Sequence, residues 1–350
     1  MAALRTARLT RPAVLHFFGR WSETHAQMFP ATRHNELTGK MSTLAAWPFK
    51  APPVWDRDMF VKAATTVPEG MPAEVVANGK AHAAQHAVLM AAATPLRCLL
   101  RLAKMALSAA TRKRGSIVVR VPAKAIATAR VKAASAGMGS LSDNDLCVGL
   151  AWAAMRSVRS RGVNGRPRLP GQHSITQVLD LRGMLPGLSP SYVGNAVCTV
   201  GASIPATDGA TADVLQLAAA VRGSMNDFMN STAVFDQMRA SKDAANLIAK
   251  VRSTSQVLFA DGFVTSWNLP IIWAFELGAG PTVWWNGMVV PSATWSAIIL
   301  CARPDVAPGD YLIALNPPVG KMKQMQEAAD AMVRDLAAPV AIECPPKASA

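Results

Sequence analysis

An aspartate and an arginine two residues apart, at the end of a β-rich run, form the first polar pair that could act together. On an extended chain the side chains of Asp180 and Arg182 point to the same side, because they stand at positions i and i+2. A carboxylate and a guanidinium at this spacing can bind each other, or together hold the loop that follows. Taken alone, the pair indicates a structural role rather than proton transfer.

Three further motifs follow this pair along the chain. Tyr192, Gly194 and Asn195 form a Tyr-x-Gly-Asn sequence, which is typical of a tight turn whose glycine allows close approach of another backbone. After a long interval come the triplet Thr265-Ser266-Trp267 and the segment Glu276-Leu277-Gly278-Ala279-Gly280-Pro281.

In this order and at this spacing, the motifs resemble those of the BAHD acyltransferases, which transfer acyl groups from acyl-CoA to alcohols or amines. The marks of that family are Asp-x-Arg, Tyr-x-Gly-Asn, Ser/Thr-Ser-Trp and Asp-Phe-Gly-Trp-Gly. The last motif is altered here: Glu276 stands for the aspartate, while Gly278 and Gly280 remain. Weaker agreement extends the resemblance over most of residues 15–336.

The resemblance implies an α/β (α+β) fold of the chloramphenicol-acetyltransferase type, in which helices flank a mixed sheet. It implies one full domain and the remnant of a second. The expected division is a divergent start or targeting segment at 1–14, a remnant of the first acyltransferase domain and crossover at 15–115, a C-terminal acyltransferase domain at 116–337 and a tail at 338–350.

The resemblance also implies roles for particular residues. Thr265, Ser266 and Trp267 would border the channel that receives acyl-CoA, although an ordinary strand end with a core tryptophan remains the alternative. Glu276 would reach Arg182 and hold the channel wall. The other structural members of the set would be Asp180, Tyr192, Gly194, Asn195, Gly278 and Gly280.

The family's general base is the histidine of a His-x-x-x-Asp motif, and this sequence does not contain that motif. The matching positions fall near Thr6 and Thr10, neither of which can replace a neutral imidazole as a base near pH 7. No histidine is followed by aspartate four residues later; the six are His16, His25, His34, His82, His86 and His173. We therefore assign no catalytic residue and expect little or no activity from this chain. The alternative is a non-catalytic paralogue that binds CoA or another small molecule.

Two explanations fit the first residues of the chain. They are either the divergent or wrongly spliced start of a longer protein, which we favour, or a transit peptide. The first 22 residues contain four arginines and no acidic residue, a composition typical of transit peptides. The expected location is cytoplasmic, or organellar if residues 1–22 are a transit peptide.

The net charge of +14 favours an anionic partner, and the phosphates of CoA would suit it. The basic residues are scattered, and the densest run, 112–114, has no aromatic stacking platform, so nucleic acid is not an expected partner. The five cysteines include no Cys-x-x-Cys pair, and we expect neither a metal site nor a disulfide scaffold. The partners expected are acyl-CoA, as co-substrate rather than permanent cofactor, and a small-molecule acceptor. We expect a monomer and no membrane segment, since two prolines interrupt the longest uncharged run.

Hydrophobic periodicity and capping residues predict the elements that must position these motifs. The predicted helices span 13–29, 95–110, 123–136, 146–159, 213–230, 235–249 and 321–336. The predicted strands span 117–121, 175–179, 196–204, 256–267, 283–285 and 298–300.

Overall fold

The computed structural model describes a mixed sheet with its flanking helices, which confirms the predicted fold class. The described residues are 57–80, 94–100, 102–103, 115–160, 172–182, 184–189, 192, 196–205, 212–243, 260–267, 295–304 and 306–339. The predicted helix at 13–29 and the predicted strand at 283–285 lie outside them.

The described residues form six strands and six complete helices. The strands are β1 (Ile117–Val121), β2 (Gln172–Asp180), β3 (Val197–Pro205), β4 (Gly262–Trp267), β5 (Ser296–Cys301) and β6 (Tyr311–Asn316). The helices are α1 (Arg57–Thr65), α2 (Ala123–Ser135), α3 (Asp143–Ser160), α4 (Val214–Met229), α5 (Ala233–Lys242) and α6 (Met322–Ala337). Residues 73–80 and 95–100 are also helical, and a 3-10 turn spans Val319–Lys321. Within the described helices, none has the length and apolar composition needed to cross a bilayer.

The strand order in the sheet is β1-β6-β5-β4-β2-β3. Strands β2, β4 and β5 run parallel to one another, and the remaining pairings are antiparallel. The amino ends of the three parallel strands therefore share one edge of the sheet and their carboxyl ends share the other. The carboxyl edge receives both the Asp-x-Arg and the Thr-Ser-Trp motif.

One face of the sheet packs against helices and forms the main core. Helix α3 lies across β4, β5 and β6, while α4 packs on β3 and α6 packs on β1. The buried side chains on this face include Val119, Ile175, Val264, Ile299 and Ile313, together with Trp152 of α3. Because neighbours along a strand alternate between faces, this set also fixes which side chains point to the opposite face.

Local signals in the sequence set several helix ends. Asp213 and Gln216 form a reciprocal capping box at the start of α4. At the start of α3, the backbone N–H of Asp145 donates to the Ser142 hydroxyl at 3.2 Å, and the Asp145 carboxylate accepts from the Ser142 backbone N–H at 2.8 Å. After α2, Gly137 has a φ of 68°, in the left-handed region that glycine tolerates. These caps confirm the predicted start of α4 and the predicted end of α2. Helix α3 begins at Asp143, three residues before the predicted start at 146, and Ser142 of the predicted capping segment caps it.

A second buried cluster lies beside the end of β2. It contains Leu181, Leu185 and Tyr192 from the loop after β2, together with Phe228 of α4 and Phe235 of α5. Helix α1 packs on α5 and contributes Ala64 to this cluster. The cluster therefore fixes the chain around the Asp-x-Arg motif.

Two predicted elements had wrong boundaries. Strand β4 begins at Gly262, whereas the predicted strand at 256–267 included residues 260 and 261. Asp261 turns its carboxylate back to β2 instead of extending the ladder, and residues 256–259 lie outside the described residues. The predicted helix at 235–249 begins at Ala233 and ends at Lys242, with Asp243 as its C-cap. Tertiary contacts decided the first boundary, and periodicity alone could not reveal them.

Candidate functional site

The ladder between β2 and β4 stops before the carboxyl ends of the two strands. These two strands pair only over Ile175–Gln177 and Gly262–Val264. The β2–β3 ladder nevertheless continues to Asp180, and the β4–β5 ladder continues to Trp267. Residues 178–180 and 265–267 therefore diverge, and we call the space between them the crevice.

The register of the sheet determines which side chains line the crevice. Val264 belongs to the core under the helices. Because neighbours along a strand alternate between faces, Ser266 also points toward the helices, whereas Thr265 and Trp267 point to the opposite face. By the same alternation from Ile175, Val178 and Asp180 point to the face opposite the helices. Thr265 and Trp267 are half-buried, whereas the Asp180 side chain is 44% exposed. One hydroxyl, one indole and one carboxylate thus share this face of the crevice.

Diverging parallel strands are a suitable place for a narrow ligand. In open α/β sheets, ligands bind outside the carboxyl ends of parallel strands where neighbouring connections part. The crevice lies at such a position.

Arg182 holds the loop that borders the crevice. Its Nη1 donates to Asp180 Oδ1 at 2.7 Å, and its Nε donates to the backbone carbonyl of Tyr192 at 2.6 Å. The backbone N–H of Arg182 also donates to Asp180 Oδ1, at 3.0 Å. The Arg182 side chain is only 7% exposed, so its charge depends on these acceptors. Asp180 and Arg182 thus bind each other, and Arg182 also holds the following loop.

An aromatic stack completes that wall. The rings of Tyr192 and Phe60 are parallel within 14°, with centroids 5.4 Å apart. The Arg182 guanidinium carbon lies 6.0 Å from the Tyr192 centroid, within the range of a cation–π contact. Phe60 belongs to α1, so a helix distant in sequence fixes the loop after β2. No local sequence pattern predicts this contact, because Phe60 and Tyr192 are far apart along the chain.

The thiol nearest the Asp-x-Arg motif is inert. Cys198 pairs with Leu179 across the β2–β3 ladder. Burial, reinforced by the negative charge of Asp180, raises the pKa of Cys198 to about 12. Burial also raises the pKa of Cys147 well above the usual range. Both sulfurs are therefore protonated near pH 7 and cannot serve as nucleophiles.

His173 lies at the opposite edge of the sheet, at the amino end of β2. Its Nδ1 is 3.1 Å from Asp261 Oδ2, and Arg159 approaches the same carboxylate. His173 is the only histidine among the described residues. The sequence analysis missed this cluster, although an Asp-Gly dipeptide before an apolar run could have suggested a turn there.

The structure brings together Asp180, Arg182 and Tyr192, and it places Thr265, Ser266 and Trp267 at the same edge. The other predicted members of the site lie outside the described residues: Gly194, Asn195, Glu276, Gly278 and Gly280. Thr6 and Thr10, which stand where the family has its histidine and aspartate, also lie outside them. The pairing of Glu276 with Arg182 therefore stays a prediction. In the described part of the chain, no three His, Cys, Asp or Glu side chains are grouped as metal ligands would be.

Comparisons with known proteins gave solved structures only; no protein-family model and no curated protein matches the chain. One similar structure is that of TRI101 from F. graminearum, complexed with coenzyme A and deoxynivalenol: 16% identity, TM-score 0.46, covering 61% of this chain and 47% of that one. Vinorine synthase gives 16% identity and a TM-score of 0.45, covering 63% of this chain and 49% of that one. Polyketide synthase associated protein 5 from Mycobacterium tuberculosis gives 12% identity and a TM-score of 0.38, covering 64% and 51%.

The matched part of this chain spans about half the length of each of these proteins. All three TM-scores lie below 0.5, so these similarities assign no function.

Proposed function

We propose that the chain is related to the acyl-CoA-dependent acyltransferases of the BAHD kind, and that its crevice receives the thioester end of acyl-CoA beside a small alcohol or amine. One observation carries the proposal. The Asp-x-Arg and Thr-Ser-Trp motifs, far apart in sequence, meet at the carboxyl edge of one sheet where β2 and β4 diverge.

The crevice offers groups suited to such a ligand. The Thr265 hydroxyl can donate a hydrogen bond to an amide or thioester oxygen, and the Trp267 indole offers an apolar surface. The net charge of +14 favours the approach of a ligand that carries several phosphates.

The proposed reaction needs a base that the described crevice does not contain. In acyl transfer, a base takes the proton of the acceptor as its oxygen or nitrogen attacks the thioester carbonyl, and CoA leaves as the thiol. His173 lies at the other edge of the sheet, and Asp180 is already bound by Arg182. We propose that this chain binds acyl-CoA with little or no turnover. A paralogue that only binds CoA or another small molecule is the second candidate.

Two measurements on the purified chain test the proposal. Isothermal titration calorimetry with CoA and acetyl-CoA should give saturable binding, and a thiol-release assay with an alcohol acceptor should stay at background. Acyl transfer well above background would contradict the proposed lack of turnover. Absence of binding by both ligands would contradict the proposed site.

A pair of matched variants locates the binding. Thr265→Val removes the crevice hydroxyl at nearly constant volume and should weaken CoA binding about fivefold, the value of one hydrogen bond. Thr128→Val makes the same change on α2, where Thr128 is also half-buried, and should leave the affinity unchanged. Equal affinities for the two variants would exclude Thr265 from the site.

A further inference from the structure

We propose that Asp261, with Arg159 and His173, acts as a clamp at the amino end of β2 and β4, and that this clamp sets how far the two strands diverge at the crevice. The three residues are called the clamp below. Asp261 is then a positioning residue, because it acts on the crevice through the strands. The consequence for ligand binding rests on the proposed function.

Asp261 joins the amino end of β4 to the amino end of β2. Its Oδ2 accepts from the backbone N–H of Ser174 at 3.1 Å and lies 3.1 Å from His173 Nδ1. The backbone N–H of Asp261 donates to the Ser174 carbonyl at 2.8 Å. These contacts immediately precede the short ladder between the two strands.

Arg159 connects this junction to the helix layer. Its Nη2 lies 3.4 Å from Asp261 Oδ1, and its Nη1 donates to the Asp261 carbonyl. The side chains of Arg159 and Asp261 are only 10% and 6% exposed, so water screens their attraction weakly. The Arg159 guanidinium carbon also lies 5.4 Å from the centroid of the Trp295 ring. Helix α3, which packs on β4, β5 and β6, therefore ends on the clamp.

Trp295 adds an independent sign that this junction is constrained. Its φ of 68° is the only positive value for a non-glycine residue among the described residues. A bulky residue adopts that conformation only where its surroundings enforce it. Here the Trp295 carbonyl accepts from the Phe263 N–H at 3.1 Å, and its own N–H donates to the Asn316 carbonyl at 2.9 Å.

The short ladder between β2 and β4, called the joint below, is the strand pairing that the clamp would stabilise most. Three register positions connect the pair β2–β3 to the four strands β4, β5, β6 and β1. The adjoining β2–β3 and β4–β5 ladders have nine and five positions. Because the described joint is short and lies next to the crevice, loosening its amino end should let the strands separate further at their carboxyl ends.

Hydrogen exchange measured by mass spectrometry tests the clamp without any ligand. Asp261→Asn removes the negative charge and leaves one acceptor oxygen, so the side chain can no longer accept from Ser174 and His173 on one side and from Arg159 on the other. Amides at 178–180 and 265–267 should then exchange about tenfold faster, since local opening governs exchange. Unchanged exchange at both segments would overturn the proposal.

Asp310→Asn provides the matched control. Asp310 is 7% exposed as a residue and accepts from Arg120 Nε at 2.5 Å and from the Ala123 N–H at 2.8 Å, away from the joint. The substitution Asp310→Asn should leave hydrogen exchange at residues 178–180 and 265–267 unchanged. An equal increase in both variants would show general loosening and would also overturn the clamp.

Substitutions at His173 keep the test decisive should Asp261→Asn fail to fold. His173→Ala removes one donor to Asp261 and should speed exchange at the same two segments. His173→Gln retains an N–H donor and should restore slow exchange. Fast exchange in neither variant, or equally fast exchange in both, would contradict a role for this hydrogen bond.

CoA binding then separates positioning from simple stabilisation. Asp261→Asn should weaken the affinity for CoA about tenfold, while Asp310→Asn should bind like the wild type. Wild-type affinity in Asp261→Asn, despite faster exchange, would refute the positioning role. If the wild-type chain itself does not bind CoA, the proposed function fails, and the exchange experiment still decides the clamp.

Discussion

At the scale of single residues, Arg182 accounts for the Asp-x-Arg motif in structural terms. Its guanidinium is buried and its Nε and Nη1 donate to a carboxylate and a backbone carbonyl, so it orders the loop after β2. The type and spacing of Asp180 and Arg182 predicted that they would bind each other or hold the following loop, and Arg182 makes both contacts. Type and spacing did not predict the stack of Tyr192 on Phe60, because that contact depends on where α1 lies in the fold.

Replacing Arg182 should destabilise the protein more than replacing an arginine in an exposed ion pair, because the Arg182 side chain is buried. Arg182→Met leaves the Tyr192 carbonyl without this donor and should lower the free energy of unfolding by about 2 kcal/mol. Arg239→Met is the matched control, since Arg239 and Asp236 are 43% and 39% exposed, and should change it by less than about 0.5 kcal/mol. Urea unfolding followed by tryptophan fluorescence measures both. Equal losses would show that burial of Arg182 is unimportant.

At the scale of elements, the sequence predicts helix ends that are set by caps and glycines better than it predicts strand boundaries. The start of α4 depends on Asp213 and Gln216, which are three residues apart. Because this capping box is local, it can be recognised in the sequence. The start of β4 depends on Asp261 meeting Ser174 and Arg159, which are distant in sequence. The predicted strand therefore began too early.

The packing of α3 on α4 predicts opposite effects for two helical glycines. A Cβ on Gly149 would lie 2.7 Å from the Val214 carbonyl oxygen and 2.9 Å from the Ala218 backbone nitrogen, so the helices would have to separate. Gly149→Ala should therefore destabilise the protein by about 2 kcal/mol. A Cβ on Gly223 meets nothing within 4 Å, and Gly223→Ala should stabilise the protein by about 0.5–1 kcal/mol. Thermal unfolding measures both changes in stability. An increase in stability for Gly149→Ala would contradict the close packing of α3 on α4.

At the scale of the whole molecule, the sequence predicted the mixed α/β class and most of the described helices and strands. The resemblance, rather than local physics, also predicted that the two best motifs border one channel, and that stays a prediction. The sequence could not predict that β2 and β4 pair over only three positions, because pairing of parallel strands depends on contacts between distant segments. The crevice and the clamp both follow from that short ladder.

Hydrogen exchange of the wild-type chain, measured with and without CoA, tests whether the crevice binds this ligand. We expect CoA to slow exchange at residues 178–180 of β2 and 265–267 of β4, with no comparable effect on β1 or α2. Slower exchange confined to other segments, or no effect of saturating CoA anywhere, would contradict binding of CoA in the crevice.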